Sequence, residues 1–421
     1  MFSDSKPYAL PLGDGLMLKS VASLDDAQRV ADFQSSVHGP LVGPVAYNLI
    51  LQHPYTRPEH WLFVEEEANK RVVSGLCLIP WRWRYEDVEL RVGEMGICAT
   101  AEDYRNRGLV RALMKRHKEL LREGEYHLSQ IQGIPYFYRQ FSYEYAMPLE
   151  GGWHVELHEL TNLPADGYTF RLANIDDLPV LMRLYDETMR DLAISACRDE
   201  AEWRYLFDYT DNSEMEMENW VVVDTEGKIA GYWRVQKYGF GTGLNINECS
   251  EMDHAAAAAV LGYLKTQAEE RTKPYIRLIM HDQTSLIKLA QTRGAHSEGR
   301  YAWQIHIPDV PRLLLRIAPV LEQRLANSAF AGLTQTVILN LYKATYGLQF
   351  EGGKLRAVDA MGFTDEGEIR IPPLLFAPLV LGWRTWRELR ANYPDVGVWG
   401  MAQALVDVLF PKMDAFIYTI Y

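Results

Sequence analysis

Arg105, Arg107 and Arg111 flank Gly108 in the run Arg105-Asn106-Arg107-Gly108-Leu109-Val110-Arg111, the part of the chain best equipped to hold an anion. The run lies between the strand-like Gly96-Ile97-Cys98-Ala99-Thr100 and an amphipathic stretch, Arg111 to Glu123, in which apolar residues recur at helical spacing up to Gly124. A helix N-terminus carries amide protons without intrahelical acceptors and a partial positive charge, so a phosphate fits there. Gly108 has no Cβ and admits close approach of a ligand, while the guanidinium groups add charge around the turn. A strand, a basic turn and a helix in that order suit a pyrophosphate. Neither the Gly-Lys-Ser/Thr of a P-loop nor the GxGxxG of a dinucleotide fold occurs here. The competing reading is an ordinary strand-to-helix turn with a solvated basic face.

Other residue types offer less by themselves. Tyr136, Tyr138, Tyr143 and Tyr145 crowd one short stretch and read as packing of a strand and helix core. Cys98 has no neighbouring His and reads as a small apolar strand residue rather than a nucleophile. His38, His53, Glu59 and His60 are candidate pocket residues without a pattern, and no Glu or His stands out as a general base. The chain ends in the apolar, strand-like Phe416-Ile417-Tyr418-Thr419-Ile420-Tyr421, which predicts that its last residues are docked against something.

The elements that position these groups belong to a multidomain chain. Its 421 residues exceed the roughly 100 to 200 of one domain, so two or three are expected. Hydrophobic residues make up 48% and charged residues 24%, a globular balance. A net charge of −13 argues against a nucleic-acid footprint and agrees with a cationic substrate such as an amine. Cys77, Cys98, Cys197 and Cys249 form no CxxC pair, so neither a disulfide framework nor a metal site is indicated, and a reducing cytoplasm is expected. The N-terminus lacks the apolar core of a signal peptide, and the run from Pro372 to Trp386 is too short and interrupted to span a membrane.

A faint internal repeat runs through the chain. Leu24-Asp25-Asp26-Ala27 matches Ile175-Asp176-Asp177-Leu178, Trp61-Leu62-Phe63-Val64 matches Trp220-Val221-Val222-Val223, and Val72-Val73-Ser74-Gly75 matches Lys228-Ile229-Ala230-Gly231. Three matches in order predict two copies of one α/β unit. Where the second copy should carry the anion turn it reads Ile246 to His254, with acidic residues and no Arg-x-x-Gly, so it is expected to be non-catalytic. Three domains are expected, over 1–150, 151–307 and 308–421. The last has a helical stretch from Val310 to Asn327, alternating strand patterns, a turn at Gly352-Gly353 and a further helix over Val398 to Leu409.

Arg105 and Gly108 fall on motif A of the GCN5-related N-acetyltransferase (GNAT) superfamily, Arg/Gln-x-x-Gly-x-Gly/Ala, which this segment resembles; Val110 replaces the last small residue. The three-part plan resembles the Eis-like acetyltransferases. The resemblance implies a mixed α/β, α+β architecture: tandem GNAT folds, one active and one degenerate, then a domain similar to sterol carrier protein type 2 (SCP2-like). It also implies acetyl-CoA as acyl donor, an amine acceptor such as an aminoglycoside, polyamine or lysine, no metal, and a homo-hexamer. By the same resemblance Cys98, Ala99 and Thr100 pair with the pantetheine arm, and Arg105, Asn106, Arg107, Gly108, Leu109, Val110 and Arg111 hold the pyrophosphate. Gly133 and Ile134 lie near CoA, and Tyr138 protonates the leaving thiolate, or Tyr136 if the register shifts; Ser142 stands where the family has glycine. The base implied is the terminal carboxylate of Tyr421, set against a docked tail of structural value only. The alternatives are a lipid-binding or acyl-CoA-sensing protein with a non-catalytic GNAT fold.

Overall fold

A computed structural model describes residues 7–149, 151–163, 167–239, 241–297, 299 and 301–421. The first unit runs β1 (Ala9–Gly13), β2 (Leu16–Ser20), α1 (Leu24–His38), α2 (Val42–Leu51), β3 (Trp61–Glu66), β4 (Val72–Tyr85), β5 (Val88–Thr100), α3 (Leu109–Glu123), β6 (Leu128–Ile131) and β7 (Glu144–Pro148). Local chemistry sets these elements. Ser23 caps α1 by accepting from the Asp26 amide at 3.0 Å. The apolar stripe Leu109, Leu113, Met114, Leu120 and Leu121 buries one face of α3 against the sheet.

The second unit runs β8 (Trp153–Glu156), β9 (Thr169–Leu172), α4 (Leu178–Met189), β10 (Ile194–Ala196), α5 (Glu200–Asp208), β11 (Met217–Val223), β12 (Ile229–Gln236), β13 (Leu244–Cys249), α6 (His254–Glu270), β14 (Tyr275–Leu278), α7 (Ser285–Thr292), β15 (His296–Ser297) and β16 (Ala302–His306). The first sheet has the order β1-β2-β3-β4-β5-β6-β16-β7 and the second β15-β8-β14-β13-β12-β11-β9. Read from the far end, the second order repeats the first, as the internal repeat predicts.

The two units exchange strands. β16, within the stretch expected to form the second unit, lies between β6 and β7 of the first sheet, with Gln304 opposite Ile131 on one side and Tyr145 on the other. β8 takes the same place in the second sheet, with Ile276 opposite Val155 and His296 opposite His154. The physical reason is shared: the last two strands of each unit diverge, and the strand that follows the other unit supplies the backbone partners they lack. β10 also pairs with the far end of β4 in the first sheet, Ile194 opposite Tyr85.

The third region runs α8 (Val310–Arg316), α9 (Ala318–Ala326), β17 (Gln335–Asn340), β18 (Thr345–Glu351), β19 (Lys354–Gly362), β20 (Ile369–Arg370), α10 (Phe376–Val380), α11 (Trp386–Asn392), β21 (Gly397–Val398) and α12 (Ala402–Leu409). The expected single helix after Val310 is two, because Pro319 sits in the first turn of α9 and starts a new helix there. Gly352 and Gly353, at φ 57° and 79°, make the predicted β18–β19 hairpin turn. The second predicted helix begins only at Ala402. Beyond α12 the tail is docked, as expected, yet it is extended without being a strand, with one isolated bridge between Ala415 and Ile194. One core joins the first sheet to the third region, a second fills the second unit, and a third lies between the first sheet and α3. No helix among the described residues is long and apolar enough to cross a membrane.

A fragment ending at Leu149 lacks β16 and exposes the inner edges of β6 and β7. It is expected to aggregate or remain unfolded where the full chain is folded, as circular dichroism and size-exclusion chromatography would report; a folded fragment that binds CoA would contradict the exchange.

Candidate functional site

The site begins where β5 leaves β6. The two strands pair only from Val92 opposite Leu128 to Glu94 opposite Gln130, while β5 continues to Thr100 without a ladder partner on that side. On its other side β5 carries a bulge: Gly75 faces Ala99 and Cys77 faces Gly96, so Ile97 and Cys98 together oppose Leu76. Ile97 sits at φ 44°, a conformation that costs a β-branched residue about 1–3 kcal/mol. The bulge sends Ile97 toward the core under the third region and Cys98 toward the core under α3. An open strand edge with backbone groups released from the ladder lies beside the start of α3.

Gly108 is the N-cap of α3, at φ 79° with no side-chain cap, and the first turn holds no acidic residue. Nothing lies within 4 Å of where a Cβ on Gly108 would sit. The amides of Leu109, Val110 and Arg111 therefore start a helix with no side-chain acceptor at its N-cap. The corresponding helix of the second unit, α6, is capped by Asp253, which accepts from the Ala256 amide at 2.8 Å. That end is already satisfied and negatively charged. Arg105, Asn106, Arg107 and Arg111 are exposed around the turn. The Arg107 guanidinium is folded back, 4.4 Å from the Tyr104 ring centre and donating to the Asp103 carbonyl at 2.9 Å. Val110 is half-buried, packed beside the α3 core.

Tyr138 is buried and hydrogen-bonded to the Cys98 thiol. Burial pushes the Cys98 thiol up to about 11, which disfavours a thiolate nucleophile, and burial followed by Cys98 pushes the Tyr138 phenol up as well. Tyr136 is 73% exposed, with Arg139 over its ring at 5.3 Å. Of the two phenols, Tyr138 is the one that faces β5. Gly133 makes room for it, since a Cβ there would lie 2.3 Å from the Tyr138 ring. The Gly133 carbonyl accepts from Gln304 at 3.0 Å and from the Tyr301 hydroxyl, so the chain entering β16 holds this loop, and Ile134 is exposed beside it. Ser142 adopts φ 72°, the region glycine favours.

One group escaped the sequence reading. Glu94, just before β5 and β6 part, is 2% exposed. Burial raises its carboxyl to about 7, opposed by hydrogen bonds from the Tyr421 hydroxyl at 2.9 Å and Gln130 Nε2 at 3.2 Å. The signal was there: Glu94 is the one charged residue between Val92 and Thr100. Tyr421 reaches this place from the far end of the chain, its ring edge-on to Trp81 at 6.1 Å. Its backbone carboxyl oxygen accepts from the Thr419 hydroxyl at 2.7 Å.

The sequence candidates for the acceptor pocket separate. His38 lines a 470 Å³ cleft with Leu41, Glu214, Lys237 and Asn245. Glu59 and His60 line a different 460 Å³ cavity with Arg57, Arg91 and Tyr126. Burial pushes His53 down to about 3 and His60 to about 4, so both are neutral. Among the described residues no group of three or more His, Cys, Asp or Glu is placed to hold a metal ion.

Residues 21–146 match the family model of an acetyltransferase (GNAT) domain. No curated protein sequence matches the chain. Among solved structures, a probable N-acyltransferase of unknown function from Enterococcus faecalis is 14% identical, with a TM-score of 0.71 over 96% of this chain and 99% of that one. A GCN5-related N-acetyltransferase from Anabaena variabilis is 15% identical, with a TM-score of 0.70 and the same coverage. Eis1 from Mycobacterium abscessus is 15% identical, with a TM-score of 0.63 over 96% and 100%. These likenesses span all three regions and show the fold: a mixed α/β, GNAT-like architecture shared with Eis-like structures.

Replacing Gly108 with Ala puts a side chain into left-handed backbone at a cost of about 1–2 kcal/mol, and the Cβ projects into the open face of the turn. Unfolding free energy is expected to fall by about 1 kcal/mol and CoA affinity by about tenfold, measured by denaturant titration and calorimetry. Unchanged affinity in the folded variant would place the pyrophosphate elsewhere.

Proposed function

We propose that the chain is an N-acetyltransferase that moves an acetyl group from acetyl-CoA to a primary amine. The observation that carries this reading is that β5 loses its partner just after the buried Glu94, with Tyr138 beside Cys98 on the freed stretch and the uncapped start of α3 following it in the chain. The open edge from Cys98 to Thr100 offers main-chain groups to a pantetheine arm, as an added strand would pair. The turn from Arg105 to Arg111 offers amides and guanidinium groups to the pyrophosphate. Gly133 and Ile134 flank the same path. The fit supports an acyl-CoA.

Acyl transfer to an amine needs a base, an oxyanion site and an acid. Glu94, with its carboxyl at about 7, is matched to accept the proton of an ammonium near neutrality. The amine nitrogen then bonds to the thioester carbonyl carbon, and a bulge amide near Cys98 faces the oxygen that gains charge. The C–S bond breaks as Tyr138 gives its proton to the departing thiolate, and the second proton of the former ammonium nitrogen, lost as the amide forms, returns to the strongly basic phenolate. Tyr421 enters by holding Glu94 through its hydroxyl, and its terminal carboxylate is the alternative base. An α-carboxylate ordinarily titrates near 3.5, about three units below Glu94, so Glu94 is the stronger base.

The cleft beside His38 supports acceptor entry between α1, α2 and the β12–β13 hairpin, with Glu214 as a carboxylate for a cationic amine. The third region, five strands with flanking helices, fits an SCP2-like domain, and a hexamer is carried as part of the same proposal.

Thiol release from acetyl-CoA tests the reading across polyamines, aminoglycosides and lysine peptides. Glu94→Gln and Tyr138→Phe are each expected to lower kcat by about 10²–10⁴-fold. The base works deprotonated, so kcat should rise with pH through about 7. Tyr421→Phe keeps the burial and the terminal carboxylate but removes a hydrogen bond to Glu94, so that limb should move to higher pH. If deleting Tyr421 abolishes turnover while Glu94→Gln does not, the terminal carboxylate is the base instead. Tight CoA binding without thiol release on any amine would favour the sensing alternative.

A further inference from the structure

We propose that Arg198 and Glu248, buried in the second unit, position the C-terminal residue for acyl transfer in the first. The tail is held by backbone only at its start. The Asp414 carbonyl accepts from the Ala193 and Ile194 amides at 2.9 and 3.2 Å, and the Phe416 amide donates to the Ile194 carbonyl at 3.1 Å. Beyond that, Ile417 and Ile420 enter the core shared by the first sheet and the third region, while Tyr418 enters the core of the second unit. Two polar contacts from the second unit hold the tail there: the His281 amide donates to the Tyr418 hydroxyl at 3.4 Å, and, nearer the end, Arg198 Nη2 donates to the Thr419 carbonyl at 2.6 Å. Two extended residues span about 7 Å, so this contact sets where Tyr421 lies.

Arg198 is itself held from several sides. Its two terminal nitrogens donate to the Glu248 carboxylate at 2.8 and 2.5 Å, and its guanidinium lies 4.4 Å from the Tyr185 ring centre and 4.8 Å from that of Trp203. Glu248 also accepts from the Tyr232 hydroxyl at 2.7 Å, and Arg234 stands 3.5 Å away. Burial works against the Glu248 carboxylate, and Arg198 and Arg234 outweigh it, so the pair is charged. Both side chains are at most 2% exposed. A buried ion pair of this kind adds little stability over an apolar pair of the same volume, which leaves fixed geometry as its use.

Its place in the fold points the same way. In the β12–β13 hairpin Arg234 faces Glu248 and Val235 faces Ile246, leaving a bulge at Asn247. The β4–β5 hairpin also carries a bulge, at Ile97 and Cys98, at a different point along its length. The buried ion pair beside the Asn247 bulge reaches beyond the second unit to Thr419. From there the chain leads to the Tyr421 hydroxyl, 2.9 Å from Glu94.

The inference rests on the acyl transfer proposed above, and two separate readouts test it. Arg198→Met with Glu248→Gln removes the anchoring pair, leaving the buried Arg234 its hydrogen bond to Asn219 and an amide oxygen in place of the carboxylate. In this variant carboxypeptidase A is expected to release Tyr421 about tenfold faster than from the wild type. The value of kcat for acetyl transfer should fall about tenfold, with KM for acetyl-CoA within about twofold, because the cradle at Gly108 is untouched. Arg198→Lys, which keeps a cation within reach of the Thr419 carbonyl, should restore part of kcat. Wild-type release of Tyr421 from the folded double variant would overturn the anchor. Faster release with unchanged kcat would keep the anchor and overturn its coupling to the reaction. If the double variant does not fold, Arg198→Gln is read by the same two measurements.

Discussion

The parting of β5 from β6 after Glu94 is the constraint on which the rest of the molecule depends. A strand edge cannot be left without partners inside a protein, and a sheet that splits creates two such edges. One of them, from Cys98 to Thr100, faces the proposed acyl-CoA path. The other side of the split is closed by β16, which enters between β6 and β7 and fastens the Gly133 loop through Gln304 and Tyr301. The opening is narrow because on that side of β5 the ladder is lost only after Glu94.

The strand exchange follows from that split and joins the two units into one body. β16 completes the first sheet after the chain has passed through the second unit, and β8 completes the second immediately after the chain leaves the first. Neither sheet is whole without the other unit's connection. The second unit is part of this framework, with a buried Arg198–Glu248 pair inside it and its α6 N-terminus satisfied by Asp253. The third region adds a second tie by sharing a core with the first sheet and returning the tail to it.

Electrostatics at the centre follow from burial. Glu94, Cys98 and Tyr138 all sit where desolvation opposes ionisation, and each is shifted upward in consequence. The carboxyl that rises into the neutral range becomes a usable base, while the thiol and the phenol remain protonated. One physical effect acts on three residue types: it brings a carboxyl into the neutral range and keeps a thiol and a phenol protonated.

Local pattern determined a good deal by itself. The glycine turn ahead of α3, the amphipathic α3, the repeat of two α/β units and the hairpin at Gly352-Gly353 were legible because each depends on neighbours within a few residues: a left-handed glycine, helical spacing, turn chemistry. The docked tail was legible as an apolar ending, though its lack of strand pairing was not. Tertiary structure alone decided that Tyr138 rather than Tyr136 faces Cys98, that residues 302–306 belong to the first sheet, and that Glu94 is the carboxyl of interest. The reason is range. Glu94 takes its character from burial and from Tyr421, 327 residues away along the chain, and no pattern within one segment encodes the dielectric that distant segments create.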